Sequence, residues 1–146
     1  MRTSSQRERT EERKAYIALR RAVRAAGVKV SFVDDKDANY VIIAQNHIVL
    51  RKGMSLRETL YVLAHEFGHV QSNFSGMSHV YATYCDERAG YVDRMVSVVE
   101  ELDAWDNAYK HVPARLRIDC ECYAVMCLKT YTSRKNVKKA EKLRRK

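Results

Sequence analysis

The sequence predicts an α+β fold in which a small three-stranded sheet packs on a helical body. Three observations predict it: an amphipathic helical pattern at the start, alternating apolar runs between residues 28 and 51, and helical patterns beyond them. The chain has 146 residues, is 46% hydrophobic and contains one proline, which fits one folded domain. We predict a single domain over residues 1–131 and a basic tail over 132–146.

The first part of the chain is predicted to hold one helix and three short strands. Residues 3–26 carry an apolar stripe at helical spacing, and Gly27 is a natural helix stop. Alternation predicts a strand over 28–32, and two further apolar runs predict strands over 40–44 and 48–51. The residues of the first strand expected to face the core are Val28, Val30 and Phe32.

The strongest helical signal follows the third strand. Ser55 and Glu58 form a capping-box pattern, so a helix should begin at Leu56 and end near Phe74. Apolar residues recur along it every three or four positions and should face the core. This expected stripe consists of Leu56, Leu60, Leu63, Phe67 and Val70. The opposite face of the helix is then free to line a cleft.

Two more helices are expected after a loop over residues 72–78. The first is a long helical region over about 82–109, which Gly90 could interrupt. Pro113 marks a boundary, and the last predicted helix covers 115–131. Its residues expected to face inward are Leu116, Tyr123, Met126, Cys127 and Thr130.

The helix after Ser55 contains the motif His-Glu-x-x-His. His65 and His69 lie one helical turn apart on the same face, so both imidazoles can bind one ion. Glu66 lies about 100° around the helix from His65, close enough to face a water on that ion. Two histidines, a carboxylate and an open position are typical of catalytic zinc, so we predict Zn²⁺; Mn, Fe and Co are alternatives.

A site of this kind needs a third protein ligand. A related motif places a third histidine six residues after the second, but that position is Ser75. We choose Glu101, in an acidic run on the next long helix, because Ala104 one turn later lets the helices approach closely. Glu100 is the main alternative. Weaker candidates for the third ligand are Asp103, His79 and His111.

The order of a strand, a His-Glu-Phe-Gly-His helix and a later Glu-x-x-Ala helix resembles the gluzincin class of zinc metallopeptidases. The small size and the His-Glu-x-Gly-His form are most similar to the ImmA/IrrE-type domains of bacteria, phages and mobile elements. The likeness covers about residues 28–110 and implies a zincin-like fold. It also implies that the metal ligands are His65, His69 and Glu101, and that Glu66 is the general base.

The resemblance implies hydrolysis of a peptide bond in a protein or peptide substrate by water that the metal activates. Many members have Asp or Asn after the alanine, where this chain has Trp105. The strand over 47–51 is expected at the edge of the sheet, where an extended peptide could pair with it; an ordinary edge strand is the alternative. Candidate donors to the developing oxyanion are Tyr81, Tyr84, Tyr91, His79 and His111.

Charge is unevenly distributed along the chain. The net charge is +9, with +5 over residues 1–24, −4 over 25–128 and +8 over 129–146. The basic ends could contact nucleic acid weakly, so one alternative is a DNA-associated metalloprotein similar to SprT-like proteases. A second alternative is a binding module that holds the ion without turnover. The basic ends could also be solvated tails.

The four cysteines form no metal-binding Cys-x-x-Cys pair. They are Cys85, Cys120, Cys122 and Cys127. The N-terminus carries no apolar signal segment, and no apolar run approaches the roughly 20 residues of a membrane span. We therefore expect a cytoplasmic protein with free thiols and no membrane partner.

Overall fold

The computed structural model describes the backbone of residues 4–72 and 89–132, and the side chains of 4–72 and 98–129. Over these residues the fold is α+β, as the sequence predicts, with four helices and a small mixed sheet. In chain order the elements are α1 (Ser4–Ala25), β1 (Lys29–Val33), β2 (Tyr40–Ile42), β3 (His47–Arg51), α2 (Leu56–Gln71), α3 (Ala89–Tyr109) and α4 (Arg117–Thr132). Short 3-10 turns cover Ile43–Gln45 and Ala114–Leu116.

Several expectations fall beyond these ranges. Of the predicted loop over 72–78, only Ser72 belongs to the described residues, and the basic tail beyond residue 132 lies outside them. Helix α3 is continuous from Ala89, so Gly90 does not interrupt its described part.

β3 is the central strand of the sheet, which corrects the expectation that residues 47–51 form an edge. The strand order is β1-β3-β2, with β1 parallel and β2 antiparallel to β3. Both hydrogen-bonding edges of β3 are therefore occupied, and no peptide can add to it. In the described sheet the outer strands are β1 and β2. β2 is shorter than predicted because the chain turns at Ile43–Gln45.

Helix α2 begins where the capping box predicts. The Ser55 hydroxyl accepts a hydrogen bond from the Glu58 backbone N–H at 3.1 Å, which satisfies one of the free donors of the first turn. The Glu58 carboxylate pairs with Arg51 of β3 at 2.9 Å and so ties the helix to the sheet. The helix ends at Gln71, three residues before the predicted end.

α2 is buried on nearly all sides, because α1 and the sheet pack on one side of it and α3 on another. Its predicted core residues Leu60, Leu63 and Phe67 are buried. Leu56 at the first turn is exposed, and Val70 near the end is half-buried. Burial also extends to Tyr61, Val62, Ala64, Glu66 and Gly68, so α2 is the centre of the fold. The face that carries His65 and His69 is partly buried and lines a cleft, as predicted.

Two other predicted core positions are wrong. Phe32 of β1 is 38% exposed, and its ring lies beneath the guanidinium of Arg20. Met126 of α4 is 68% exposed, because α4 packs through Cys120 and Ala124, in line with Leu116 of the preceding 3-10 turn. The side chain of Thr130 lies outside the described set. Among the helices of the described ranges, none combines the length and apolar character that crossing a membrane requires.

Candidate metal centre

Three side chains meet where α2 packs against α3. His65 and His69 lie one turn apart on α2, and their Nε2 atoms are 3.2 Å apart. Glu101 of α3 faces both, with one carboxylate oxygen 3.1 Å from His65 Nε2 and the other 3.3 Å from His69 Nε2. The structure thus brings together the three residues that the sequence predicts as ligands.

The donor set fits a divalent cation. Each imidazole Nε2 has one in-plane direction for a proton or a lone pair, so protons alone cannot satisfy all three contacts at once. Zinc–ligand bonds of about 2.0–2.1 Å in tetrahedral geometry place neighbouring donor atoms about 3.3 Å apart. The separations among His65, His69 and Glu101 match that value. The group could therefore hold a metal ion without rearrangement of the helices.

Close packing of the two helices makes this convergence possible. Gly68 lies against the backbone of Ala104, where a Cβ on residue 68 would overlap the Ala104 carbonyl oxygen. The Asn107 amide donates to the Gly68 carbonyl at 3.5 Å, and the Ser72 hydroxyl donates to the Asp103 carboxylate. These contacts hold α2 against α3 over the turns that follow Glu101.

The alternative third ligands take other roles or lie elsewhere. Glu100 lines the same cleft but is not among the three converging ligands. Asp103 accepts the Ser72 hydrogen bond, and His111 Nε2 lies 3.2 Å from Gln71 Oε1. Within the described side chains, the metal-binding group is thus limited to the two motif histidines and Glu101. His79 lies outside the described residues.

Glu66 is the buried carboxylate beside this group, with 6% of its surface exposed. Burial raises the pKa of Glu66, and the charge of Glu101 adds to this, although the two histidines oppose it. Burial alone would also raise the pKa of Glu101, but hydrogen bonds from His65 and His69 outweigh it and hold that pKa well below its usual range. The pKa values of the two carboxyl groups are thus shifted in opposite directions, which makes Glu66 the more basic of the two.

The surroundings of His69 also shift its pKa. Burial acts to lower the pKa of His69, but the hydrogen bond to Glu101 and the nearby carboxylates raise it above its usual value. In the absence of a cation, this raised pKa favours the protonated, positively charged form of His69. The carboxylates around His69 attract cations in general.

The group opens into a cleft of about 520 Å³. One wall comes from β2 and the turn after it, through Tyr40, Val41 and Ile43. The opposite wall includes Tyr123 and Cys127 of α4, which lie one turn apart and which the sequence did not assign to a site. Burial raises the pKa of Tyr123 to about 12, so its hydroxyl stays protonated and can donate.

Four of the five predicted oxyanion donors fall outside the residues or side chains that the structure describes. Tyr81, Tyr84 and His79 lie outside the described residues, and the side chain of Tyr91 does also. His111 is hydrogen-bonding distance from Gln71 and does not line the cleft. Among the described residues, the tyrosines that line the cleft are Tyr40 and Tyr123.

Trp105 lies in the wall of the cleft. Its indole stacks on the His65 imidazole, with ring centroids 4.3 Å apart and an interplanar angle of 26°. Sequence reasoning noted the residue but gave it no role. Trp105 follows Glu101 by four residues on α3, and this spacing is the sequence signal that could have placed the indole next to the Glu101 side chain.

Comparisons of the chain with protein-family models, curated proteins and solved structures find no match. The geometry of the site therefore carries the functional argument.

Proposed function

We propose that this chain is a zinc-dependent metallopeptidase that hydrolyses a peptide bond in a protein or peptide substrate. The observation that supports this most is the convergence of His65, His69 and Glu101 on one point, next to a buried Glu66. Two histidines and a carboxylate leave one position open for water and substrate, as in catalytic rather than structural zinc sites. The gluzincin-like order of the motifs agrees with this donor set.

Each residue of the site then has a defined task. His65, His69 and Glu101 hold the zinc, which when bound polarises the scissile carbonyl and makes water more acidic. Glu66 accepts a proton from the attacking water and passes it to the nitrogen of the leaving amine. Its raised pKa suits this exchange, because a stronger base takes the proton more readily. The Tyr123 hydroxyl is the donor we propose for the developing oxyanion.

The substrate class follows from the shape of the cleft. The cleft is open and is lined on one side by Tyr40 and Val41 of β2, an outer strand of the described sheet. An extended peptide could pair with the main chain of β2 and lie across the metal ligands. β2 thus replaces the central strand β3 as the proposed contact for the substrate.

The decisive variant is Glu66→Gln, which keeps the shape of the side chain and removes the base. Wild-type protein with stoichiometric zinc should cleave members of a quenched fluorescent peptide library. Glu66→Gln should retain zinc by elemental analysis and lose about 10²–10⁴-fold in cleavage rate. Glu58→Gln, on the same helix but paired with Arg51 away from the cleft, is the matched control and should cleave normally.

Two results would reject the proposal. Unchanged cleavage by Glu66→Gln would show that another group or a contaminant does the chemistry. Zinc-loaded wild type that cleaves no library member, and leaves its protein partners intact, would favour the non-catalytic binding module.

We propose the cytoplasm as the location, because Cys120 and Cys122 are free thiols, which fits a reducing compartment. The nucleic-acid alternative depends mainly on the basic tail, which lies outside the described residues.

A further inference from the structure

One helix supplies both a metal ligand and a flat aromatic surface behind another ligand. Trp105 follows Glu101 by four residues on α3, so both side chains point from the same face of the helix toward α2. Trp105 is 3% exposed, and its indole covers one face of the His65 imidazole. The His69 ring meets the His65 imidazole in an edge contact, with centroids 4.6 Å apart and an angle of 73°.

The second nitrogen of His65 is unusual for a metal ligand. Such a histidine normally donates its other ring N–H to a carboxylate, a carbonyl or water, which fixes the orientation of the ring. His65 Nδ1 is buried and has no hydrogen-bond partner among the described residues. The indole nitrogen of Trp105 is also buried and unpaired in this part of the chain. The contact between the two rings is therefore one of stacking and not of hydrogen bonding.

We propose that Trp105 is a positioning residue that fixes the His65 imidazole by stacking, and so sets the metal affinity of the site. This rests on the metal site of the proposed function, but not on peptide hydrolysis. The indole fixes the plane of the imidazole, so that Nε2 stays directed at the point that His69 and Glu101 also face. Without the indole surface the His65 imidazole is free to rotate. Fixing the imidazole when the metal binds then lowers the metal affinity.

Two substitutions of Trp105 should differ in their effect on zinc binding, because only one of them keeps a flat ring behind His65. Trp105→Phe removes the indole N–H but keeps a flat ring behind His65, so it should preserve the affinity. Trp105→Leu keeps apolar bulk but removes the flat ring, so it should weaken zinc binding. Loss of an orienting partner typically lowers metal affinity about 10–100-fold.

The test measures metal binding rather than catalysis. Zinc affinity is measured by competition with a chromophoric chelator, and the Co²⁺ form is compared by its visible absorption bands. We expect Trp105→Leu to bind zinc about 10–100-fold more weakly with altered Co²⁺ bands, and Trp105→Phe to stay within about threefold of wild type. Val23→Ala, which removes buried volume in α1, is the control for general destabilisation and should keep wild-type affinity.

A measurement on the wild type covers the case in which Trp105→Leu does not fold. The His65 ring protons, assigned by comparison with His65→Gln, should show an upfield ring-current shift in the zinc form. Absence of that shift overturns the proposal.

Three more results also overturn it: wild-type affinity in Trp105→Leu, equal loss in Trp105→Phe and Trp105→Leu, or equal loss in Val23→Ala. Wild-type protein that binds no zinc rejects the metal site itself, and the proposed function with it. Zinc binding that depends on Trp105, with no hydrolysis, leaves this proposal standing and rejects only the peptidase.

Discussion

Gly68 of α2 lies directly against the backbone of Ala104 in α3. Gly68 precedes the proposed ligand His69 by one residue, and Ala104 follows the proposed ligand Glu101 by three. This backbone contact therefore lies next to the point where His69 and Glu101 meet. Only a residue without a Cβ permits it, so the geometry of the site depends on a residue that touches no ion.

Gly68→Ala should consequently damage both stability and metal binding. The added methyl group overlaps the Ala104 carbonyl oxygen, and forcing the helices apart should cost about 1–3 kcal/mol. Glu101 then moves away from the histidines, and zinc affinity should fall at least about tenfold, a loss typical of disturbed ligand orientation. Urea denaturation measures the first effect and a competition titration measures the second.

Gly53→Ala is the matched control for that substitution. Gly53 has a φ of +85°, and an added Cβ meets no atom within 4 Å. The change should cost about 1–2 kcal/mol through backbone strain and leave zinc affinity unchanged. If Gly68→Ala binds zinc as tightly as Gly53→Ala does, the close approach is not what sets the ligand geometry.

Glu101→Gln and Glu100→Gln separate the two candidates for the third ligand. Both lie in the cleft wall, and the Glu101 carboxylate oxygens lie 3.1 and 3.3 Å from the Nε2 atoms of His65 and His69. Removing the Glu101 charge should weaken zinc binding by more than the roughly 10–100-fold seen for residues that merely orient ligands. Glu100→Gln should retain zinc in elemental analysis. The reverse pattern would assign the third ligand to Glu100.

Local signals predicted the fold class and the start of α2 because those features depend on nearby residues. The Ser55 cap, the helical stripe through Leu60 and Leu63, and the strand near residue 29 are examples. The convergence of His65 and His69 with Glu101 also agrees with the sequence-based prediction, which depended on helical spacing and on the small residue Ala104.

Features that depend on tertiary packing were less accessible. The order β1-β3-β2 requires the third strand to insert between the first two, and the strand patterns alone do not specify that. Met126 shows the same limit: apolar character predicts burial, but α4 packs through Cys120 and Ala124 instead. The stacking of Trp105 on His65 needs both helices in place and could not be inferred from either alone.

Alkaline pH should destabilise the protein partly through Cys120. Burial, followed by the charges of Asp119 and Glu121, raises the pKa of this thiol to about 12. The folded state therefore holds the proton more tightly than the unfolded state, whose thiol titrates at about 8.5. This contribution to stability is complete below that pH and is lost as the pH rises toward about 12.

Urea denaturation between pH 8 and pH 10.5 tests this linkage. One such group can change the free energy of unfolding by up to about 1.4 kcal/mol per pH unit. Cys120→Ala should lower stability at pH 7 but flatten the alkaline decline. Cys122→Ala, at an exposed position of the same helix, should leave the slope as in wild type. Equal slopes for Cys120→Ala and wild type would contradict the linkage.

Arg57 joins three helices, and its loss should destabilise the fold without changing the metal site. Its guanidinium lies 2.6 Å from the buried Glu12 carboxylate of α1 and 3.6 Å from Asp119 of α4. Asp119 in turn accepts a hydrogen bond from the Tyr61 hydroxyl at 2.7 Å. Arg57→Ala leaves Glu12 buried without its partner, which should cost about 1–3 kcal/mol.

The double variant Glu12→Ala/Arg57→Ala should recover part of that loss, because no unpaired carboxylate remains buried. Lys52→Ala, which breaks the exposed pair between Lys52 and Asp34, is the control and should cost less than about 1 kcal/mol. Zinc affinity should stay at the wild-type value in every variant, since Arg57 lies at the opposite end of α2 from the histidines. A cost for Arg57→Ala no larger than for Lys52→Ala would show that burial of Glu12 does not depend on this pair.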